Sequence, residues 1–191
     1  SRGINGIAYI LRGTSYGDVR ILTGDSGAPD LMDIYGVGDV RGAANMVGTA
    51  QGYPTMLGKF PSMNGEDNVT LFRVEEMHLI AAETSLRAGN AADALSYLNN
   101  IPAIRGLGAD YYASATLENI LEERRKEFAF EGLRFHDLSR MGMDMPSVDP
   151  FKQTNDDLTG TPPAYGSYRY AYPIALSERN ANPNMVQNYG Y

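Results

Sequence analysis

The chain contains no cysteine and no tryptophan. The first absence excludes a disulfide framework and a thiolate zinc site. The second removes the largest aromatic face from the repertoire. Histidine is scarce: His78 and His136 have no second His or Cys at metal-ligand spacing, so both read as structural or surface residues. No apolar run approaches the roughly 18 residues that mark a transmembrane helix, and no signal-peptide pattern opens the chain. Positive charge is in the minority, with 16 Lys and Arg against 23 Asp and Glu, a net charge of −7. That argues against nucleic acid and anionic membrane surfaces, which select clustered cations. "YGVGDVRG" has glycines but no following Lys-Ser/Thr, so it is no phosphate loop. No serine stands in a nucleophile elbow. No metal and no cofactor are expected.

Tyrosine is abundant, 13 residues against 6 Phe. Its apolar face and polar tip suit sugar-facing surfaces, and equally suit anchoring of loops. At 191 residues one domain is the default. Residues 1–70 are rich in Gly and turn signals, with strands expected at 7–11 and 19–22 and little regular structure from 24 to 68. Residues 71–142 are helical in pattern. Residues 143–191 are a loop-rich tail in which "YRYAYPIAL" has strand character. The start at Ser1, without an initiator Met, is expected of part of a longer chain.

Four helices follow from local signals. The first runs from Leu71 to a left-handed stop at Gly89. Asn90 can cap the second, which is expected to end before Pro102. The pair makes an αα-hairpin. Ser114 or Thr116 can start the third, expected to reach about Gly132, and a short fourth stops at Gly142.

The stretch "ERRKEFAFEGLRFHDLSRMG" threads charges through apolar residues. On a wheel of about 100° per residue, Arg124 falls inside the stripe of Leu117, Ile120, Leu121 and Phe128, with Glu131 about 40° off its centre. Glu122 and Lys126 fall on the opposite, solvated face. On the first helix Glu76 and Glu83 stack between two apolar sides, formed by Met77, Ile80, Ala81 and Ala88 and by Leu79 and Leu86. A charge on an apolar face is costly unless paired. Arg124 is therefore expected to face Glu131 or a carboxylate of the first helix, with Arg73 or Arg105 neutralising Glu76 and Glu83.

Glu76, Glu83, Glu127 and Glu131 could instead be a glycosidase's paired acids. Mid-helix positions beside arginines would hold them ionised, whereas a general acid needs a raised pKa. A structural ion network is the better reading. For a sugar, an exposed aromatic face beside amides or carboxylates is needed. Tyr165, Tyr168 and Tyr170 near Asn155, Asp156 and Asp157 meet that requirement first. Tyr16, Asp18, Tyr35 and Tyr53 are second.

In order, "RVEEMHLIAAET", "ALSYLNNIPAIRGLG", "ILEERRKEFAFEGLRFHDLSRMG" and "YPIALSERNANPNMVQNYGY" resemble the C-terminal region of the SusD/RagB-like glycan-binding proteins of Bacteroidetes, and "YGVGDVR" resembles the Asp-x-Arg stretch before it. The resemblance implies a mainly α fold of tetratricopeptide-like helix pairs, long irregular loops and a few short strands. It implies a non-catalytic surface lipoprotein of the outer membrane. Such a protein captures oligosaccharides and acts as a lid on a TonB-dependent transporter of the SusC type. Arg73, Glu76, Glu83, Arg105, Arg124, Glu127, Glu131, Gly132, Arg134, Asp137 and Arg140 match framework positions of the family. The chain is shorter than usual members and has no Cys to lipidate, so an N-terminal part of the same protein is an expected partner. Acidic loops at 25–39 and 149–157 are expected to steer it toward basic patches on the transporter. A helical scaffold without a sugar site and a carbohydrate-active enzyme are the alternatives.

Overall fold

A computed structural model describes residues 31–50, 53–55, 57–62, 67–145 and 163–191. The strands expected at 7–11 and 19–22 lie outside them. The described chain is mainly helical, in two compact units that meet between Arg134 and Phe135.

In the first unit a 3₁₀ turn at Val40–Gly42 precedes a two-stranded antiparallel ribbon. Its strands are β1 (Gly48–Ala50) and β2 (Tyr53–Thr55), with Thr49 opposite Pro54. A second 3₁₀ turn follows at Leu57–Lys59. Helix α1 runs Val74–Arg87, α2 Ala91–Ile104 and α3 Leu117–Glu127.

The α1–α2 corner forms as its residues dictate. Gly89 takes φ +83°. Its N–H donates to Leu86 O and that of Asn90 to Ser85 O, at 3.0 and 2.9 Å. This pair of bonds is a Schellman stop, open to Gly because a left-handed residue carries no Cβ penalty there. Asn90 then accepts from Ala94 N through its backbone carbonyl. Thr116 caps α3, its hydroxyl accepting from Asn119 N at 3.1 Å.

Two helix ends differ from expectation. Pro102 lies inside α2, which continues to Ile104. The ring deletes only the bond to Leu98 O, and Pro102 is buried in the last turn, where packing holds it. Helix α3 stops at Glu127 instead of near Gly132. Phe130 and Gly132 take left-handed backbone, φ +64° and +80°. The released carbonyls of Glu127 and Ala129 accept from Lys59 Nζ at 2.7 and 2.9 Å.

The three helices close over Leu79, Ala82, Leu98, Ile101, Ile120 and Phe128, with Tyr112 from the α2–α3 connection. Buried Asn99 fixes that connection: its amide donates to Tyr112 O, and its carbonyl accepts from Tyr112 N, both at 2.9 Å. Gly106, at φ +90°, lets residues 38–40 approach, for a Cβ there would lie 2.9 Å from Gly38 O.

In the second unit α4 (Leu133–Arg140) begins at the boundary and ends before Gly142 at φ +66°. The segment 168–176 is not a strand. It forms a 3₁₀ turn at Tyr168–Tyr170 and then an extended stretch. The Gln187 side chain supplies what a strand neighbour would: Ile174 N donates to its carbonyl at 2.8 Å, and its amide donates to Ile174 O at 3.1 Å. The tail also contains a short helix, α5 (Leu176–Ala181), where no regular element was expected.

Candidate functional site

A buried ion cluster occupies the first unit. Asp39 caps the first 3₁₀ turn by accepting from Arg41 N at 3.0 Å, and its carboxylate also takes Arg41 Nε and Nη2 at 2.9 and 2.7 Å. Arg41 Nη1 reaches Glu123 and Glu127 at 2.6 and 2.9 Å. The other Glu123 oxygen accepts from the Tyr112 hydroxyl at 2.9 Å. Arg105 donates to both oxygens of Glu127, at 2.6 and 3.0 Å, and to Glu75 at 2.8 Å. Arg73 joins Glu127 to Glu131, and Lys59 Nζ lies 2.5 Å from Glu131.

Burial pushes the Glu127 carboxyl up, but hydrogen bonds and charge from Arg105, Arg73 and Arg41 outweigh it and bring the pKa down to about 2. A group so held stays ionised at neutral pH and cannot serve as a general acid. Burial likewise pushes the Tyr112 hydroxyl up, helped by Glu123. Burial pulls the Lys59 ammonium down.

Among the sequence-derived network, Arg73, Arg105, Glu127 and Glu131 meet in this cluster. Glu83 pairs with Arg87 on its own helix at 2.9 Å, and Asp137 with Arg140 at 2.9 Å. Glu76 is half-buried, and its neighbour Glu75 is the residue that reaches Arg105. Arg134 is half-buried at the start of α4. Arg124 is buried with its guanidinium 5.2 Å from the Phe128 ring centroid. Arg124 was expected to face Glu131 or a carboxylate of the first helix; of these, Glu131 lies beyond the end of α3, where a wheel angle has no meaning, and Arg73 and Lys59 bind it.

Lys126 is a second correction. It is fully buried rather than solvated. Its Nζ sits 2.6 Å from Glu122 and over the rings of Tyr111 and Tyr112, 5.1 and 5.6 Å from their centroids. The tyrosines of the α2–α3 connection cover a helix face that a wheel assigns to water. Glu122, with 42% of its side chain exposed, keeps contact with solvent. Asp39, Arg41, Lys59, Glu75 and Glu123 were missed as network members. Only the Asp-x-Arg spacing of Asp39 and Arg41 carried a signal.

Of the candidate sugar contacts, Tyr16, Asp18, Asn155, Asp156 and Asp157 lie outside the described residues. Tyr53 is described only through its backbone pairing in β2. Tyr35 donates its hydroxyl to Lys126 O at 3.0 Å and carries Arg41 over its ring. It is engaged within the protein.

The second unit brings Tyr165, Tyr168 and Tyr170 together. Tyr170 is braced: its ring stacks on Phe135 at 5.6 Å, meets Tyr165 edge-on at 5.5 Å, and its hydroxyl donates to Met143 O. Tyr165 is 52% exposed and Tyr168 40%. A cavity of about 550 Å³ opens here, walled by Phe135, Tyr168, Tyr170, Tyr172 and Tyr191.

This mainly helical chain has known counterparts. The sequence profile of the SusD family matches residues 51–191, and the chain belongs to that family. It is 32% identical over 126 residues to the starch-binding protein SusD of Bacteroides thetaiotaomicron, covering 66% of this chain and 22% of that protein. A SusD-like protein of Formosa agariphila is 27% identical over 142 residues, covering 67% and 25%. A SusD superfamily structure from Bacteroides vulgatus superposes with a TM-score of 0.63 at 29% identity, over 81% of this chain and 36% of that one. A candidate sugar-binding protein of the same species gives 0.63 at 25% identity, over 98% and 50%. The chain spans about a quarter of the length of the curated relatives it matches.

Proposed function

We propose that this chain is the glycan-binding, non-catalytic part of an outer-membrane nutrient uptake system. In this reading the protein is a surface lipoprotein that captures oligosaccharides and passes them to a TonB-dependent transporter of the SusC type. The observation that carries it is membership of the SusD family together with 32% identity to a starch-binding protein. The chemistry is compatible with it. The tyrosines at 165, 168 and 170 present rings and hydroxyls, the combination that suits a pyranose. Of the four glutamates weighed as hydrolytic acids, Glu83, Glu127 and Glu131 are tied to cations, with Glu127 ionised down to about pH 2.

Isothermal titration of neutral oligosaccharides into the protein tests this, with a reducing-end assay on the same mixtures. Saturable binding without release of new reducing ends is expected. Release of reducing ends that survives purification would favour an enzyme. A second reading, a helical scaffold that docks another protein, is supported by the outer side of α1, where Val74, Met77 and Ile80 are exposed beside Leu71 and Phe72.

A further inference from the structure

The tyrosine cavity has a third wall that carries more information than the tyrosines first singled out. Residues 189–191 lie along it. Gly190 takes φ +94°, and a Cβ at that position would stand 2.3 Å from Cγ of Tyr168. Gly190 therefore packs against the root of the Tyr168 ring, and no side chain larger than hydrogen fits. Tyr191 meets the same ring edge-on at 5.2 Å and 85°. Its hydroxyl donates to Ala171 O at 2.9 Å.

The aromatic groups thus divide by job. Tyr170 and Tyr191 spend their hydroxyls on backbone carbonyls and hold the walls. The Tyr168 and Tyr172 hydroxyls make no hydrogen bond among the described residues. Tyr172 is 80% exposed, with Phe135 tilted against it at 6.2 Å. One side of the cavity is ordered before any ligand arrives, and the other offers a ring to stack on. Preordering lowers the entropic cost of binding. A cavity of about 550 Å³ is of the size that receives small ligands.

Resting on the glycan-binding reading above, we propose that this cavity is a saccharide subsite. Tyr172 and Tyr168 are its stacking faces, and Gly190 and Tyr191 are positioning residues that hold Tyr168 in place. The ligand class is a neutral pyranose oligosaccharide. The C–H face of such a ring matches an aromatic face, and its hydroxyls match phenols, which donate and accept. Arg169 brings a cation to the wall, over the Tyr168 ring at 5.9 Å. A chain of net charge −7 nevertheless repels polyanions as they approach.

The test is isothermal titration with maltoheptaose, laminarihexaose and xylohexaose as neutral probes and an oligogalacturonate as the acidic one. Wild type, Tyr172→Ala, Gly190→Ala and Tyr191→Phe are compared, with Tyr97→Ala on α2 as a control. At least one neutral probe should bind wild type. Tyr172→Ala and Gly190→Ala should each weaken it about tenfold or more, which corresponds to about 1.4 kcal/mol. Tyr191→Phe should weaken it less, and Tyr97→Ala should leave it unchanged. If Gly190→Ala loses its fold by circular dichroism, Tyr172→Ala decides, because that side chain is mostly in solvent. Wild-type binding that survives Tyr172→Ala unchanged would overturn the subsite and leave the glycan-binding reading standing. No binding of any probe to wild type would overturn both. Tighter binding of the oligogalacturonate, lost in Tyr172→Ala, would overturn the neutral ligand class.

Discussion

Glu127 is the residue on which the first unit's charges converge. Three arginines reach its carboxylate, and Arg73 and Lys59 also take its carbonyl. Glu127→Gln keeps the shape and removes the charge, leaving Arg41, Arg73 and Arg105 short of an anion in a buried place. Breaking a buried pair this way costs about 3–5 kcal/mol. Urea denaturation should show a loss of that size. The folded pKa of about 2 lies below the ordinary value of 4.5. This contribution is therefore present above about pH 4.5 and is lost as pH falls through 2. The melting midpoint of wild type should drop across that window, and Glu127→Gln should flatten the drop.

Lys126 makes the opposite case at the same scale. It is fully buried, but its partner Glu122 is open to water. Lys126→Met keeps the volume and leaves Glu122 to the solvent, so it should cost less than about 1.5 kcal/mol. Lys126→Ala leaves a cavity beside Tyr111 and Tyr112 and should cost about 2–4 kcal/mol. Equal losses in thermal melts of the two variants would show that the ion pair, not the packing, matters here.

At the scale of elements, the helix ends separate what was legible from what was not. The stop at Gly89, the cap at Thr116 and the stop at Gly142 are local chemistry, complete within a few residues, and the pattern of residues announces them. The end of α3 is not local. The Lys59 ammonium, 68 residues away, takes the carbonyl of Glu127, and nothing near Glu127 signals it. The extended stretch after Tyr170 reads as a strand because its residues favour one. Its partner is a single glutamine amide, which no periodicity reveals. The ion network was legible in Arg73, Arg105, Glu127 and Glu131, because charge on an apolar face demands partners. Which charge meets which was not, since the turns at 39–41 and 57–59 supply Asp39, Arg41 and Lys59.

Two glycines test this account of the turns. Both Gly106 and Gly132 have positive φ, near 90° and 80°. A Cβ on Gly132 meets nothing within 4 Å, whereas one on Gly106 would lie 2.9 Å from Gly38 O. Gly132→Ala should cost about 1–2 kcal/mol for the left-handed backbone alone. Gly106→Ala should cost more, because the 38–41 segment carrying Asp39 and Arg41 must also shift. Differential scanning calorimetry ranks the two, and a larger loss in Gly132→Ala would contradict the close-approach argument.

At the scale of the whole molecule, the two units carry different chemistry. The first holds its charges in a closed network. The second holds open aromatic rings around a cavity. Under the function proposed above, glycan capture falls to the second unit, whose cavity offers exposed rings and hydroxyls together. The titration of neutral oligosaccharides into the intact protein is therefore the most direct measurement. The account predicts saturable heat with at least one of them, at a single class of site. An absence of saturable binding across the whole set would contradict it.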